Sequence, residues 1–362
     1  MNFETSSQRK RWLFSPEELA ELRAKRHQAI LDIVAKEETP LLEGAQQTGN
    51  GDKPAKRAKK TRPPSLAEEA ALLKYYAGKM QDMCRAFGFP NKVQAAAVLF
   101  LKRFYLTFST LEHDPKNVLL TAIYLAGKVE EAYIGAEEFC KRLQQDEEAV
   151  LSTEPLVLQG LNFDLITYTP YSSLSGYFAD LEDCQKEGGV LDEALQQLKG
   201  ESLAKARAAA KAAVDALMLT DAPLVFPPGQ LALAAMRSGC NKVKIPFGSF
   251  LSRVASKTQE EGRSGSTQED IVQELRSAFA RIDSYGAEGS QQVNADEVKK
   301  IDRRLKAFHA AAKINRSSQP KDNGQEKSKS ATQQMFKEAE HQGSMHGPAD
   351  EPLAKRLKIL TA

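Results

Sequence analysis

Hydrophobic positions are densest between Asn91 and Glu131, where the pattern predicts two apolar helices joined by a short turn. Val93 to Leu101 is apolar apart from Gln94, and Lys102-Arg103-Phe104-Tyr105-Leu106 follows. Asp114-Pro115 opens the second helix. Asp is a strong N-cap, and Pro suits the first helical position because its missing N–H has no helical partner there. Val118, Leu119, Leu120, Ala122, Ile123, Leu125, Ala126 and Val129 then cover most of the circumference. A helix apolar nearly all round is a core helix. This one is too short and too interrupted to span a bilayer. Its charged end, Lys128-Val129-Glu130-Glu131, is expected at a surface.

The flanking segments are amphipathic. Ser15 and Glu18 form a capping-box pattern with Pro16 at the first helical position. The helix predicted from Pro16 to about Lys36 has a narrow apolar stripe, so it should lie on the surface of something larger. Ser65 and Glu68 repeat the capping box before a helix through Leu73, Tyr76, Met80 and Cys84. A fourth helix is predicted over Ile134 to Leu143, and Leu156, Val157, Leu158, Leu161 and Phe163 mark a fifth. Pro155 lacks an N–H and disfavours the α region for Glu154, so this helix should kink or begin there.

A weaker copy follows. Asp114-Pro115-Lys116-Asn117-Val118 aligns with Pro227-Pro228-Gly229-Gln230-Leu231, each opening a strongly apolar helix behind an Ala-rich one. Arg237-Ser238-Gly239 is then expected where the first copy has its Lys-Val-Glu-Glu end. The reading is an all-α chain of two tandem five-helix units, with extra helices at both ends. The expected divisions are an arm and helix over 1–40, a basic linker over 41–64, units over 65–166 and 167–286, a last helix over 287–316 and a disordered tail over 317–362. Val298, Ile301, Leu305 and Phe308 space that last helix.

Charge adds little at the level of the whole chain, which is nearly balanced at net +2. The local exception is the basic run around Lys56, Arg57, Lys59 and Lys60. It reads as a solvated linker or as a nuclear localisation signal. The four cysteines form no C-x-x-C pair, so reduced thiols are expected rather than a zinc site. The first 30 residues are too charged for a secretory signal, and a soluble intracellular protein without membrane contact is expected. There is no Gly-rich phosphate loop and no kinase H-R-D or D-F-G set. His113, just before an N-cap, is expected at a solvent edge. Glu130 and Glu131 point about 100° apart on a helix, so they do not make an acid/base pair. No catalytic residue, metal or cofactor is expected; the chain reads as a binding protein, not an enzyme.

Lys102-Arg103-Phe104-Tyr105, Asp114-Pro115, Leu125-Ala126-Gly127-Lys128-Val129-Glu130-Glu131 and Leu161-Asn162-Phe163-Asp164-Leu165-Ile166 resemble the cyclin box of transcription-type cyclins. The arm Gln8-Arg9-Lys10-Arg11-Trp12-Leu13-Phe14-Ser15 is most similar to that of the cyclin H subfamily. The resemblance implies a regulatory subunit that binds and activates a cyclin-dependent kinase. It implies Lys128 and Glu154 as the kinase-contact pair, with Phe163 and Leu165 as apolar contacts and Leu125 and Val129 beside Lys128. It further implies a RING-finger assembly subunit, the TFIIH core, phosphorylation of kinase activation loops and of the polymerase II C-terminal repeat, and the nucleus. Leu66-Ala67-Glu68-Glu69-Ala70 replaces the Leu-docking motif of cell-cycle cyclins, so short Arg-x-Leu peptides are not expected to bind. Two rivals are a cyclin C-like subunit of the Mediator kinase module and a TFIIB-like promoter-binding factor. Direct nucleic-acid contact is expected only of the second.

Overall fold

The computed structural model describes residues 3–44, 62–186, 191–260 and 267–317. Among them are fifteen α-helices and no strand. The chain divides into two compact units, Met1–Ala311 and Ala312–Ala362. Of the second, the described part is the end of the last helix. The basic run at Lys56, Arg57, Lys59 and Lys60 and the tail beyond Ser317 lie outside the described residues.

Two helices lead in, the short α1 (Ser7–Arg11) and then the long α2 (Pro16–Gly44). The first five-helix unit is α3 (Leu66–Ala86), α4 (Asn91–Thr107), α5 (Pro115–Val129), α6 (Ala136–Leu143) and α7 (Glu147–Gly160). The second uses α8 (Pro170–Lys186), the one-turn α9 (Glu193–Gln196), α10 (Gly200–Leu219), the one-turn α11 (Ala222–Val225), α12 (Pro228–Lys242), α13 (Gly248–Glu260) and α14 (Gln268–Ser290). Last comes α15 (Ala295–Ser317).

The all-round apolar pattern of α5 has its cause in packing. It is wrapped by α3, α4 and α7, and Val118, Ala122, Ile123 and Ala126 are almost wholly buried. Asp114 caps it as expected, accepting from the Lys116 N–H at 2.9 Å. In the second unit α12 takes the same central place between α8, α10 and α14. There the approach is so close that a Cβ on Gly239 would lie 2.3 Å from the carbonyl oxygen of Ala206. The two five-helix units, both within Met1–Ala311, share one continuous core. At their seam Gln94 Nε2 donates to the Tyr171 hydroxyl (3.0 Å) and to Asp215 (3.2 Å), and Gln81 donates to the Asp215 carbonyl (2.9 Å).

Both end helices fold back on the first unit. From α2, His27 meets Glu69 at 2.5 Å and Arg26 pairs with Glu112. From α15, Asp302 pairs with Lys116 at 3.0 Å and His309 meets the Thr110 carbonyl at 3.0 Å.

Four expectations are corrected here. Helix α2 runs on to Gly44, because Glu37, Glu38, Leu41 and Leu42 are good helix formers that carry it past Pro40. The fifth helix neither starts nor breaks at Pro155. It begins at Glu147, capped by Asp146, and Pro155 sits inside it on an exposed face. The carbonyl left without a helical donor is then that of Leu151, on an exposed turn where its orphaning is cheap. The counterpart of Lys128-Val129-Glu130-Glu131 is Asn241-Lys242-Val243-Lys244, not Arg237-Ser238-Gly239. Helices α5 and α12 are both 15 residues long, and Glu131 and Lys244 end them in the same left-handed conformation, at φ 58° and 59°. Finally, His113 is half-buried rather than open at its solvent edge. Its ring packs edge-on against Phe104 and Phe108, and burial pushes its pKa down.

Candidate functional site

The candidate residues converge where α5 ends beside α7. Helix α5 closes with the Glu130 N–H donating to Ala126 (3.0 Å) and the Ala132 N–H to Gly127 (2.9 Å). This turn delivers Lys128 to the rim. Its ammonium pairs with Glu154 of α7 and lies 4.8 Å from the centre of the Tyr124 ring. Pro155 therefore does not carry Glu154 away. Val129 is half-buried beside the pair. Leu125 is corrected: at 3 % exposed it belongs to the core and supports the rim from beneath.

After α7 the chain makes an unusual turn. Asn162 and Phe163 are both left-handed, at φ 50° and 57°. For a bulky residue such as Phe this conformation is strained and needs support from its surroundings. The turn is closed by the Asn162 N–H donating to Gln159 (2.9 Å) and the Phe163 N–H to Leu158 (3.0 Å). Its effect is to face Phe163 outward, 66 % exposed, with Ile166 51 % exposed three residues on. Leu165 is half-buried, packed against the core. Tyr133, just past α5, is 76 % exposed. A charged pair thus bridges α5 and α7, and large apolar side chains stand exposed in the segments that follow the two helices.

The support for that turn is Asp164. One carboxylate oxygen accepts from Arg11 at 2.5 Å, and the other from the Trp12 indole N–H at 2.8 Å. Its backbone carbonyl accepts from Arg103 of α4 at 3.1 Å. Arg103 is fully buried, stacks 5.1 Å from the Trp12 ring and leaves its Nε and one terminal nitrogen unpartnered. Burial pulls its pKa down to about 10, against the opposing pull of Asp164. Gln8 adds a two-point contact, donating to the Tyr168 carbonyl (3.0 Å) and accepting from its N–H (2.8 Å). So the N-terminal arm straps the segment that presents Phe163. Sequence reasoning missed this role of Gln8, Arg11, Trp12, Arg103 and Asp164. Two signals were present: a cation inside the apolar run of α4, and a lone Trp in a polar arm, each of which needs a buried partner.

Among the described residues no group of His, Cys, Asp or Glu could hold a metal ion, and no helix is long and apolar enough to cross a membrane. The four cysteines are buried and unpaired. Burial pushes the Cys84 thiol up to about 12 and the Cys240 thiol up to about 11, away from thiolate chemistry.

Residues 67–166 match the model of the cyclin N-terminal domain, and residues 169–284 that of the cyclin C-terminal domain. The chain is 36 % identical over 317 residues to Cyclin-H1-1 of Arabidopsis thaliana, covering 84 % of this chain and 88 % of that one. It is 29 % identical over 255 residues to Cyclin-H of Xenopus laevis, covering 67 % and 72 %. Cyclin-C1-1 of Arabidopsis thaliana matches over 99 residues at 35 % identity, 25 % of this chain and 39 % of the relative. In fold the chain is similar to a chain of the CAK complex of Chaetomium thermophilum bound to ATP-gamma-S, with a TM-score of 0.63, 21 % identity and 97 % of both chains covered.

Proposed function

The chain belongs to the cyclin family, with relatives in the cyclin H group, and we propose that it binds and activates a cyclin-dependent kinase through the surface that follows α5 and α7. The observation that carries this reading is the outward, strained Phe163 that follows α7, the helix whose Glu154 pairs with Lys128. A large apolar side chain fixed at an exposed position is a poor choice for solvent and a good one for a partner surface. The pair itself supplies register more than energy, because an ion pair on a partly exposed rim contributes little by itself.

The mechanism is a population shift. A kinase of this class is active when its αC Glu meets the ATP-positioning Lys. A partner that binds only that state draws the equilibrium toward it. Moving from 1:99 to 99:1 takes about 5.5 kcal/mol of differential affinity. An apolar surface carrying Phe163, Ile166 and Tyr133 can provide this where one ion pair cannot. The kinase partner is read as that of the CDK-activating complex, with a RING-finger assembly subunit and the TFIIH core. The outcome is phosphorylation of kinase activation loops and of the polymerase II C-terminal repeat in the nucleus. The chain itself contributes no catalytic group. The expected chain divisions carry over with the helix ends moved to those observed, and the run at Lys56, Arg57, Lys59 and Lys60 is proposed as a nuclear signal. A Mediator-type cyclin C role is less well supported, since that likeness spans 25 % of the chain while the cyclin H likeness spans 84 % of it.

The test is reconstitution with the candidate kinase, measuring affinity by calorimetry and peptide phosphorylation. Phe163→Ala should give the largest loss. Lys128→Ala and Glu154→Ala should each cost about 2–5 kcal/mol of binding if the pair is desolvated in the complex. Undiminished affinity and activity in all three variants would place the interface elsewhere.

A further inference from the structure

A cavity of about 570 Å³ lies where α2, α3, the end of α4, the end of α10 and the α14–α15 connection meet. Leu66, Tyr105 and Val293 give it apolar wall, and Lys102 of α4 lines it. Lys102 is poorly served there. Its ammonium makes one long bond, 3.4 Å to the Leu219 carbonyl at the end of α10, and no ion pair among the described residues. The nearby carboxylate of Asp221 is engaged by Arg23 of α2 through two bonds of 2.6 and 2.7 Å. Lys74 of α3 adds a second cation and takes the Glu288 carbonyl at 2.5 Å. A partly buried amine among cations, without a carboxylate of its own, favours its neutral form.

We propose that Lys102 is a covalent modification site, whose amine takes an acyl group from an acyl thioester that enters this cavity. The neutral nitrogen attacks the thioester carbonyl carbon. A C–N bond forms, the C–S bond breaks with its electron pair leaving on sulfur as thiolate, and the proton shed by nitrogen passes to solvent. No oxidant or reductant is involved. The amide carries no charge, so the reaction removes the cation from the seam between the two cyclin units.

The electrostatics agree with the geometry. Burial, partly offset by Asp221, pulls the Lys102 pKa down to about 8, with Arg23 and Lys74 acting in the same direction as burial and Glu288 against it. At pH 7.5 such an amine is neutral about a quarter of the time, against about one part in a thousand for an ordinary lysine. A weaker base is a weaker nucleophile, and a Brønsted slope of about 0.4–0.5, as for thiols, returns about tenfold of that gain. Of the roughly 250-fold gain in neutral amine, about 10- to 25-fold remains.

The experiment is limited acetylation of the full chain with S-acetyl-N-acetylcysteamine from pH 6.5 to 9.5, kept below about one acetyl per chain, with site mapping by mass spectrometry. Lys102→Arg, which keeps the cation, identifies the peptide. Lys102 should be acetylated about 10- to 25-fold faster at pH 7.5 than the exposed Lys205 and Lys299, with a rate midpoint near pH 8. Acetylation of Lys102 no faster than those two lysines would overturn the proposal.

Discussion

Asp164→Asn is the substitution that tests how the arm and the partner surface are joined. The change keeps the size of the side chain and removes one charge. Three groups feel it. Arg11 is more than half exposed, so its bond to Asp164 contributes at most about 1 kcal/mol. Trp12 is 4 % exposed, and its indole N–H loses a charged acceptor, a difference of about 1 kcal/mol between charged and neutral bonds. Arg103 matters most. It is fully buried with two nitrogens unpartnered, and Asp164 is the counter-charge its electrostatics register. Leaving a buried cation uncompensated typically costs about 3–5 kcal/mol. The losses share one network and do not add, so the expected destabilisation is about 3–4 kcal/mol, read as a shift of the urea midpoint at constant slope. Arg11→Ala is the reference and should cost less than about 1 kcal/mol. Limited proteolysis should also cut the arm faster in Asp164→Asn, because Arg11 and Trp12 are its ties to the body. If Asp164→Asn costs no more than Arg11→Ala, Asp164 does not neutralise Arg103, and the strap account of the Phe163 turn fails with it.

Three further outcomes follow from local geometry. Pro155→Ala restores the N–H that the Leu151 carbonyl lacks and should stabilise by about 1–3 kcal/mol in urea while leaving kinase affinity unchanged. Gly239→Ala puts a methyl 2.3 Å from the Ala206 carbonyl and should cost about 3 kcal/mol or more, whereas Gly78→Ala in α3, with nothing within 4 Å, should gain about 0.5–1 kcal/mol. The alkaline limb of stability should have two parts, checked by denaturation at closely spaced pH. Lys102 binds its proton less tightly folded than unfolded, so stability should rise as pH climbs through about 8 toward its ordinary value of 10.5. The Cys84 and Cys240 thiols and the Tyr76, Tyr105 and Tyr171 hydroxyls are pushed up by burial. The unfolded chain therefore sheds their protons first, and stability should fall from about pH 9 onward. Lys102→Met should remove the rise and keep the fall.

What the sequence made legible is what short-range rules govern. The caps at Asp114, Ser15 and Ser65, the all-round apolar α5 and the rim position of Lys128 depend on neighbours a few residues away, and periodicity reports such neighbours directly. Pro155 misled for the same reason. The local rule forbids an interior proline, but the packing of Val150 and Val157 on α5 holds the helix together on either side of it, and only tertiary burial could show that. The repeat alignment holds from Pro115 and Pro228 onward, but the end of the copy was placed too early because α12 carries no charged Lys-Val-Glu-Glu to mark it. The left-handed Lys244 fixes it instead, and a positive φ leaves no mark on a residue that is not Gly or Asn. The arm was out of reach altogether. Trp12 meets Asp164 across 152 residues and Gln8 meets Tyr168 across 160. No period links such positions; only the chemistry of unpaired groups does. Arg103 interrupts an apolar face, and a buried guanidinium demands an anion, so the question posed by the sequence was which carboxylate answers it. That the answer lies next to Phe163 ties the core of the first unit to the surface proposed for the kinase: the charge that steadies α4 also holds the strained turn. Loss of either should therefore appear in both stability and kinase affinity, in a fixed proportion across variants of Asp164, Trp12 and Arg103.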